Sequence, residues 1–155
     1  MMQSNEQVIE RFYKAFQQKD YKTMGECYHD EATFTDEAFV NLNAKEVRAM
    51  WEMLCVRAKD FRLEFSQIAA DGNTGSAHWE AWYLFSQSGN KVHNVIDAAF
   101  EFKDGKILKH RDSFDFHRWA GQALGLTGKL LGWTSFLKNK VQTTARQGLD
   151  KFMAG

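Results

Sequence analysis

The N-terminal part of the chain alternates apolar and polar residues with the period of an α-helix. Ser4 and Gln7 form the pattern of a capping box, and apolar residues then recur every three or four positions. Asn43 is placed to cap another helix of the same kind. The pattern predicts three helices: one with the apolar face Val8, Ile9, Phe12 and Phe16, a short one from about Asp20 to Tyr28, and one with the apolar face Val47, Met50, Trp51 and Leu54.

The rest of the first 117 residues reads mainly as strands, because runs rich in Val, Ile and Phe are separated by turn residues. A short strand at Ala32 to Asp36 follows the first two helices, and an irregular turn follows near Glu37 to Leu42. Helices first and an antiparallel meander afterwards predict an α+β domain with a curved sheet wrapped around the helices. The predicted meander strands are 61–69, 76–85, 92–102 and 107–116.

The stretch from Lys91 to Phe116 gives the clearest hairpin, because Asp104-Gly105 is a favoured dipeptide for a two-residue type I′ turn. With that turn, Asp97 lies directly opposite Asp112. A three-residue loop with a bulge at Gly105 is the alternative, and it places Asp112 opposite Ile96. The two-residue turn is favoured because it pairs apolar residues along the hairpin: Phe102 with Ile107 and Val95 with Phe114.

Facing carboxyls on an apolar surface suggest acid–base chemistry. Two carboxyls at cross-strand distance, beside Val95 and Phe114, do not both ionise easily, because burial and like charge raise the pKa of at least one. A carboxyl with a raised pKa is a general acid near neutral pH. Asp97 and Asp112 are therefore catalytic candidates, and a structural role for Asp97, hydrogen-bonded to a Tyr or His, stays open.

Composition narrows the class of protein. The 155 residues suit one domain with a sizeable core, and a formal charge of zero argues against a nucleic-acid surface. No apolar run is long enough to cross a bilayer, and the N-terminus lacks the pattern of a signal peptide. Cys27 and Cys55 lie in separate predicted helices without metal spacing, so we expect reduced thiols in a cytoplasmic protein.

The last part of the chain, residues 118–155, is predicted to be a helical extension of the domain formed by residues 1–117. Six basic residues against Asp150 alone give this tail a net charge of +5. Its apolar stripe predicts packing against the domain or against a dimer mate, and membrane contact through it is not expected.

The order of elements and several local words resemble the NTF2-like superfamily, which includes SnoaL-like polyketide cyclases, limonene-epoxide hydrolases and ketosteroid isomerases. The resemblance covers about residues 4–117, and its most specific part is GKILKHRDSFDF at 105–116. This segment resembles the strand of the hydrolases and cyclases that ends in a catalytic Asp, which here is Asp112. Where the epoxide hydrolases have an Arg-x-Asp pair, this chain has His78-Trp79-Glu80, so the pair is altered.

The ketosteroid isomerases provide a second resemblance. In ATFTD, Asp36 matches their catalytic base, and in NVID, Asp97 matches their protonated oxyanion-hole Asp. Their first-helix Tyr falls on Phe12, with Tyr13 adjacent. The sequence therefore contains parts of two kinds of active site and the whole of neither.

Together these patterns predict a homodimer with an apolar cavity that binds a small hydrophobic molecule. The predicted reaction is an isomerisation, a cyclisation or a water addition without cofactor or metal, and the alternative is a non-catalytic binding or scaffold domain. His78 and Glu80 share a strand face and are expected to orient Asp112, or to form a simple buried salt link. The candidate catalytic residues are Asp112, Asp97, Asp36, His78 and Glu80, and the candidate ligand-binding residues are Phe12, Phe34, Trp51, Trp82, Val95, His110 and Phe114.

Overall fold

The computed structural model describes residues 4–155, so residues 1–3 at the start of the predicted first domain lie outside the description. The predicted capping box is present at Ser4 and Gln7, and a second one at Asn43 and Glu46 opens the third helix. The elements are α1 Asn5–Gln17, α2 Tyr21–Glu26, β1 Tyr28–Thr35, β2 Leu42–Asn43, α3 Ala44–Arg57, β3 Arg62–Asp71, β4 Thr74–Leu84, β5 Lys91–Lys103, β6 Lys106–Ser113, α4 Phe116–Leu124, α5 Leu126–Leu131 and α6 Ser135–Ala154.

The strands form one sheet in the order β2-β1-β6-β5-β4-β3, with β1 and β6 parallel and the other pairs antiparallel. One sheet face packs against α1 and α3, and its core is strongly aromatic. Phe12 is fully buried there, and its ring lies edge-on to Tyr28 and Trp51 at centroid distances of 5.6 and 5.9 Å. The predicted α+β fold with a curved sheet and helices is therefore confirmed.

The hairpin of β5 and β6 closes with the predicted two-residue turn and then departs from the predicted register. Asp104 and Gly105 have φ values of 55° and 74°, as a type I′ turn requires. Phe102 pairs with Ile107, but Glu101 pairs with Lys109, so Leu108 is one residue more than the partner strand can match. This bulge reverses which face each later β6 residue occupies.

Because of the bulge, the prediction that Asp97 faces Asp112 was wrong. Ala98 is the residue opposite Asp112, and Asp97 pairs with Ser113. The alternative, with Asp112 opposite Ile96, was wrong as well. Asp112 is buried on the helix-covered face, whereas the Asp97 side chain is 81% exposed on the other face.

The C-terminal helices pack on the same molecule. Gly128 allows α5 to lie against α4, since a Cβ at this position would come within 1.8 Å of the carbonyl oxygen of Ala120. Leu149 of α6 is fully buried in the main core, and Lys138 and Arg146 of α6 form salt bridges with Glu37 and Glu46. The division into residues 1–117 and 118–155 stays a prediction.

Candidate functional site

A pocket of about 550 Å³ opens between the helix-covered sheet face, the segment after β1, and α6. Its volume lies within the range of small-molecule sites. Aromatic side chains of the sheet and α3 form much of its wall, and α6 contributes Leu137, Val141 and Ala145 on the opposite side. The polar residues of the pocket include Asp36, Tyr83, Asn94 and Asp112 on the side of the sheet, and Lys140 and Thr144 on α6.

Asp112 reaches this pocket from β6 and is almost completely buried. Its Oδ1 accepts a hydrogen bond from His110 Nε2 at 2.8 Å and a long one from Trp79 Nε1 at 3.5 Å. Within residues 4–155, both hydrogen bonds to this carboxyl end on Oδ1. Oδ2 is therefore the oxygen available to a bound molecule.

A chain of buried hydrogen bonds leads from α3 to Asp112. The Trp51 indole N–H donates to the Tyr28 hydroxyl at 2.9 Å, and this hydroxyl lies 2.7 Å from His110 Nδ1. Burial raises the pKa of Tyr28 well above its usual value, so the hydroxyl keeps its proton and can donate it to Nδ1. His110 Nε2 is then the donor to Asp112, and the chain fixes the orientation of the carboxyl.

Asp36 lies at the end of β1 and lines the same pocket. Its Oδ1 accepts hydrogen bonds from the backbone N–H groups of Ala38 and Phe39, at 2.7 and 2.6 Å. The pKa of Asp36 is raised to about 7, mainly by burial and also by the charge of Asp112, while the two backbone hydrogen bonds oppose the rise. The carboxyl is half-buried, and its open side faces the pocket.

Two tyrosines contribute polar atoms near the carboxyls. The hydroxyl of Tyr13 is the only fully buried side-chain polar atom without a hydrogen-bond partner in the part of the chain that the structure describes. Burial, and next the charge of Asp112, raise the pKa of Tyr13 well above its usual value. Tyr83 accepts a hydrogen bond from Trp119 Nε1 at 3.0 Å, and burial raises its pKa to about 12. Both hydroxyls are therefore protonated at neutral pH.

His78, Glu80 and Asp97 lie together on the opposite face of the sheet, away from the pocket. His78 contacts Asp97 at 2.9 Å and Glu80 at 3.3 Å, and Glu80 also contacts His93 at 2.8 Å. The expectation that His78 or Glu80 orients Asp112 was wrong, because residues of one strand alternate between faces and Trp79, between them, is the one that reaches Asp112. The Asp97 hydrogen bond raises the pKa of His78, so the cluster is a charged surface network.

The candidate ligand-binding residues divide into three groups. Trp51 and Phe114 line the pocket. Phe12, Phe34 and His110 lie in the core behind its wall, where His110 holds Asp112. Trp82 and Val95 lie on the outer face, where Trp82 stacks on His93 with a centroid distance of 4.5 Å.

Sequence reasoning missed Trp79 and Asn94 as pocket residues. The signal was present in β5: Val92, Ile96 and Phe100 are apolar and, like Asn94, have even numbers, so all four belong to the same face of the strand. Reading that parity as the buried face would have placed Asn94 inside and Asp97 outside. Within residues 4–155 no three His, Cys, Asp or Glu side chains are grouped in a way that could hold a metal ion.

A family model described as the SnoaL-like domain matches residues 9–110, which is more than half of the chain. The chain belongs to the SnoaL-like family. No curated protein matches it in sequence.

Solved structures agree with the SnoaL-like assignment. An LEH-like epoxide hydrolase of M. tuberculosis is similar with a TM-score of 0.66 and 21% identity, covering 82% of this chain and 95% of that one. IdmH of Streptomyces antibioticus, a candidate polyketide cyclase, has a TM-score of 0.64 and 16% identity, covering 80% and 100%. A Catenulispora acidiphila protein with a ketosteroid isomerase-like fold, in complex with trimethylamine, has a TM-score of 0.66 and 10% identity, covering 82% and 96%. At these identities the likeness establishes the shared fold.

Proposed function

We propose that this SnoaL-like protein binds a small, ring-containing hydrophobic molecule and catalyses proton transfer next to its carbonyl group, without a cofactor. The observation that carries the proposal is the buried hydrogen-bond chain from Trp51 to Asp112, which ends on one oxygen of a carboxyl in an apolar pocket. A chain of this kind holds a polar group in a fixed orientation, as acid–base catalysis needs.

The two pocket carboxyls have different roles in this proposal. Asp36 is the general base, because a pKa of about 7 suits a group that gains and loses a proton near neutral pH. Asp112, held by His110 Nε2 and Trp79 Nε1, keeps the pKa of Asp36 raised through its charge. The Tyr83 hydroxyl, which lines the same pocket and keeps its proton, donates a hydrogen bond to the carbonyl oxygen of the ligand. The aromatic walls exclude water and strengthen both interactions.

Proton transfer is favoured over epoxide hydrolysis within the family. The hydrolases that the sequence resembles place an Arg-x-Asp pair beside the catalytic Asp, and here His78 and Glu80 occupy the matching positions. Both lie on the outer face of the sheet, so neither can activate a water molecule for Asp112. Trp79, which does reach Asp112, has no acid–base group.

Hydrogen–deuterium exchange tests the proposal without knowledge of the natural substrate. β-Tetralone in heavy water exchanges the hydrogens next to its carbonyl, and nuclear magnetic resonance follows the rate. We expect the protein to accelerate exchange, and Asp36→Asn to lower the acceleration on the order of 100-fold, the usual loss for a general base. Tyr83→Phe is expected to lower it about 10-fold or more, because the carbonyl oxygen of the ligand loses its hydrogen-bond donor.

Asp97→Asn is the matched control, because it makes the same substitution on the outer face. It should exchange β-tetralone as fast as the wild type. Equal rates in Asp36→Asn and the wild type would exclude Asp36 as the base.

A non-catalytic binding protein is the second candidate, and the apolar walls of the pocket favour it. In that case β-tetralone would shift resonances of pocket residues, such as the Trp51 and Trp79 indole N–H groups, without any accelerated exchange. One experiment therefore distinguishes the two candidate functions: an enzyme accelerates the exchange of β-tetralone, and a binding protein only shows shifted resonances.

For the assembly we propose a cytoplasmic homodimer formed through the outer sheet face. Trp82, Val95 and the His78–Glu80–Asp97 network on that face support the dimer, since they combine apolar area with paired charge. The two free, buried cysteines support a reducing compartment. Val95→Arg should lower the sedimentation coefficient to that of a monomer, and an unchanged coefficient would exclude this interface.

A further inference from the structure

The C-terminal helices expose a cluster of large apolar side chains that the pocket does not use. Five of them lie within residues 126–136, on α5, on the turn after it and on the first turn of α6, and are 40–74% exposed. Single exposed apolar residues are common in proteins, but a group this dense marks an interaction surface. We name this group the tail patch: Leu126, Leu130, Leu131, Trp133 and Phe136.

Packing of the tail directs these side chains outward. Gly128 and Gly132 turn toward α4, and Leu137 is buried against Trp119 and its neighbours. The inward side of the segment is therefore fixed by glycine contacts and one buried leucine. The large residues between them keep 40–74% of their surface exposed to solvent.

The charged residues that flank the tail patch along the sequence are all basic. Between Asp115 and Asp150 the chain has no Asp or Glu. Of the basic residues in this interval, Lys138 and Arg146 are paired with Glu37 and Glu46 of the domain. Within residues 4–155, Lys129 and Lys140 make no salt bridge. Lys129 stands between Leu126 and Leu130 in the sequence, and Lys140 lies one helical turn after Phe136, at the border between the patch and the pocket that it also lines.

We propose that the tail patch docks the protein on an anionic lipid surface. Exposed Trp, Phe and Leu beside unpaired lysines form the side-chain set of a peripheral membrane contact, with apolar groups entering the acyl boundary and lysines at the headgroups. The structure has no helix that is long and apolar enough to span a membrane in the part it describes, and docking at the surface needs none.

Trp133 is well suited to the boundary between lipid headgroups and acyl chains. Its indole N–H donates to the carbonyl oxygen of Leu130 at 3.0 Å, so the ring can leave water without an unpaired donor. A second copy of the chain is a poorer partner, because a two-fold contact through the patch would bring Lys129 against the patch of the mate that carries the same charge. An anionic surface instead neutralises it.

The patch also lies beside the pocket. Leu124 and Thr127, on either side of Leu126, line the pocket wall. Docking through the patch therefore brings this edge of the pocket close to the lipid surface.

Flotation of the full chain with lipid vesicles tests the proposal. We expect binding to vesicles of equal parts phosphatidylcholine and phosphatidylglycerol, weak binding to pure phosphatidylcholine, and loss of binding in high salt. Trp133→Ser with Phe136→Ser should lower the partition coefficient at least about 10-fold, because both rings lose their transfer into the interface. Lys129→Gln with Lys140→Gln should abolish the preference for phosphatidylglycerol.

Matched controls separate this effect from general stickiness or unfolding. Val56→Ser removes an apolar side chain that is 62% exposed on α3, and Lys22→Gln removes an exposed charge on α2. Both should bind vesicles like the wild type. Unchanged thermal melts of the lysine pair show that its loss of binding is not a loss of fold.

Equal flotation with both vesicle types, or wild-type binding by the Trp133→Ser, Phe136→Ser protein, would overturn the proposal. It would also be overturned if the wild type does not float and that substitution converts a dimer to a monomer without lipid. The patch would then be a contact between copies of the chain.

Discussion

At the scale of single residues, Asp36 and Asp112 differ in how the fold holds them. Asp112 is oriented by side chains, through His110 and Trp79, whereas Asp36 is oriented by two backbone N–H groups. Backbone donors stay in place when side chains change. The Asp36 carboxyl can therefore be replaced by an amide without losing its position, since Asn keeps an acceptor oxygen.

Asp36→Asn is expected to alter the pH dependence of stability. The folded pKa of about 7 lies above the ordinary 3.8, so the stability that Asp36 contributes is full below 3.8 and is lost as pH rises through 7. The Asn protein does not undergo this loss and should gain on the order of a few kcal/mol relative to the wild type across that interval. Urea unfolding at a series of pH values measures the difference. The exposed Asp71→Asn is the control, and a constant difference between Asp36→Asn and the wild type would contradict the raised pKa.

Tyr28→Phe is expected to destabilise the protein by about 1–3 kcal/mol, because it leaves the Trp51 N–H and His110 Nδ1 without their buried partner. Tyr21→Phe removes a hydroxyl from a partly buried tyrosine at the edge of the core and should cost little. Chemical denaturation of the two proteins makes the comparison. Equal losses would mean that the hydrogen-bond chain adds no stability.

Residue identity could be predicted from the sequence more readily than residue orientation. Asp36 and Asp112 were predicted to be site residues from the short motifs that contain them, and Trp51 was assigned to the apolar face of a helix by its spacing. Asp97, His78 and Glu80 were assigned to the wrong face, since one extra residue at Leu108 reverses the parity between two paired strands. The segment around Leu108 has no sequence signal for this bulge, although the apolar pattern of β5 alone could have placed Asp97 on the outer face.

At the scale of elements, α6 connects the tail to the domain. It covers one side of the pocket, and its charged contacts with Glu37 and Glu46 fasten it to the segment after Asp36 and to α3. The sequence predicted helices here with an apolar stripe. The partner of the stripe could not be predicted, because a stripe shows that a face is covered and says nothing about what covers it.

Leu149→Ala should destabilise the whole domain by about 2–5 kcal/mol, since Leu149 is fully buried among residues of the main core. Leu130→Ala, on the exposed side of α5, should change stability by less than about 0.5 kcal/mol. Thermal unfolding of the two proteins gives the comparison. A separate early transition in Leu149→Ala, with the main transition unchanged, would show that the tail unfolds on its own.

At the scale of the whole molecule, the pocket with its carboxyls is distinct from the surfaces proposed to contact a second copy of the chain or lipid. The apolar pocket and its carboxyls lie on the helix-covered side of the sheet, and the paired charges of His78, Glu80 and Asp97 lie on the outer side. The tail patch lies on the C-terminal helices and the turn between them. A SnoaL-like fold with this division can bind a ligand inside while two outer surfaces remain free for other contacts.

The pH dependence of β-tetralone exchange tests the central claim most directly, because it joins the chemistry to one carboxyl. A general base acts in its ionised form, so the catalysed rate should rise with pH, with its midpoint near the Asp36 pKa of about 7, and level off above it. Asp36→Asn should show no such rise. A catalysed rate that is flat through neutral pH, or the same rise in Asp36→Asn, would contradict the assignment of Asp36 as the base.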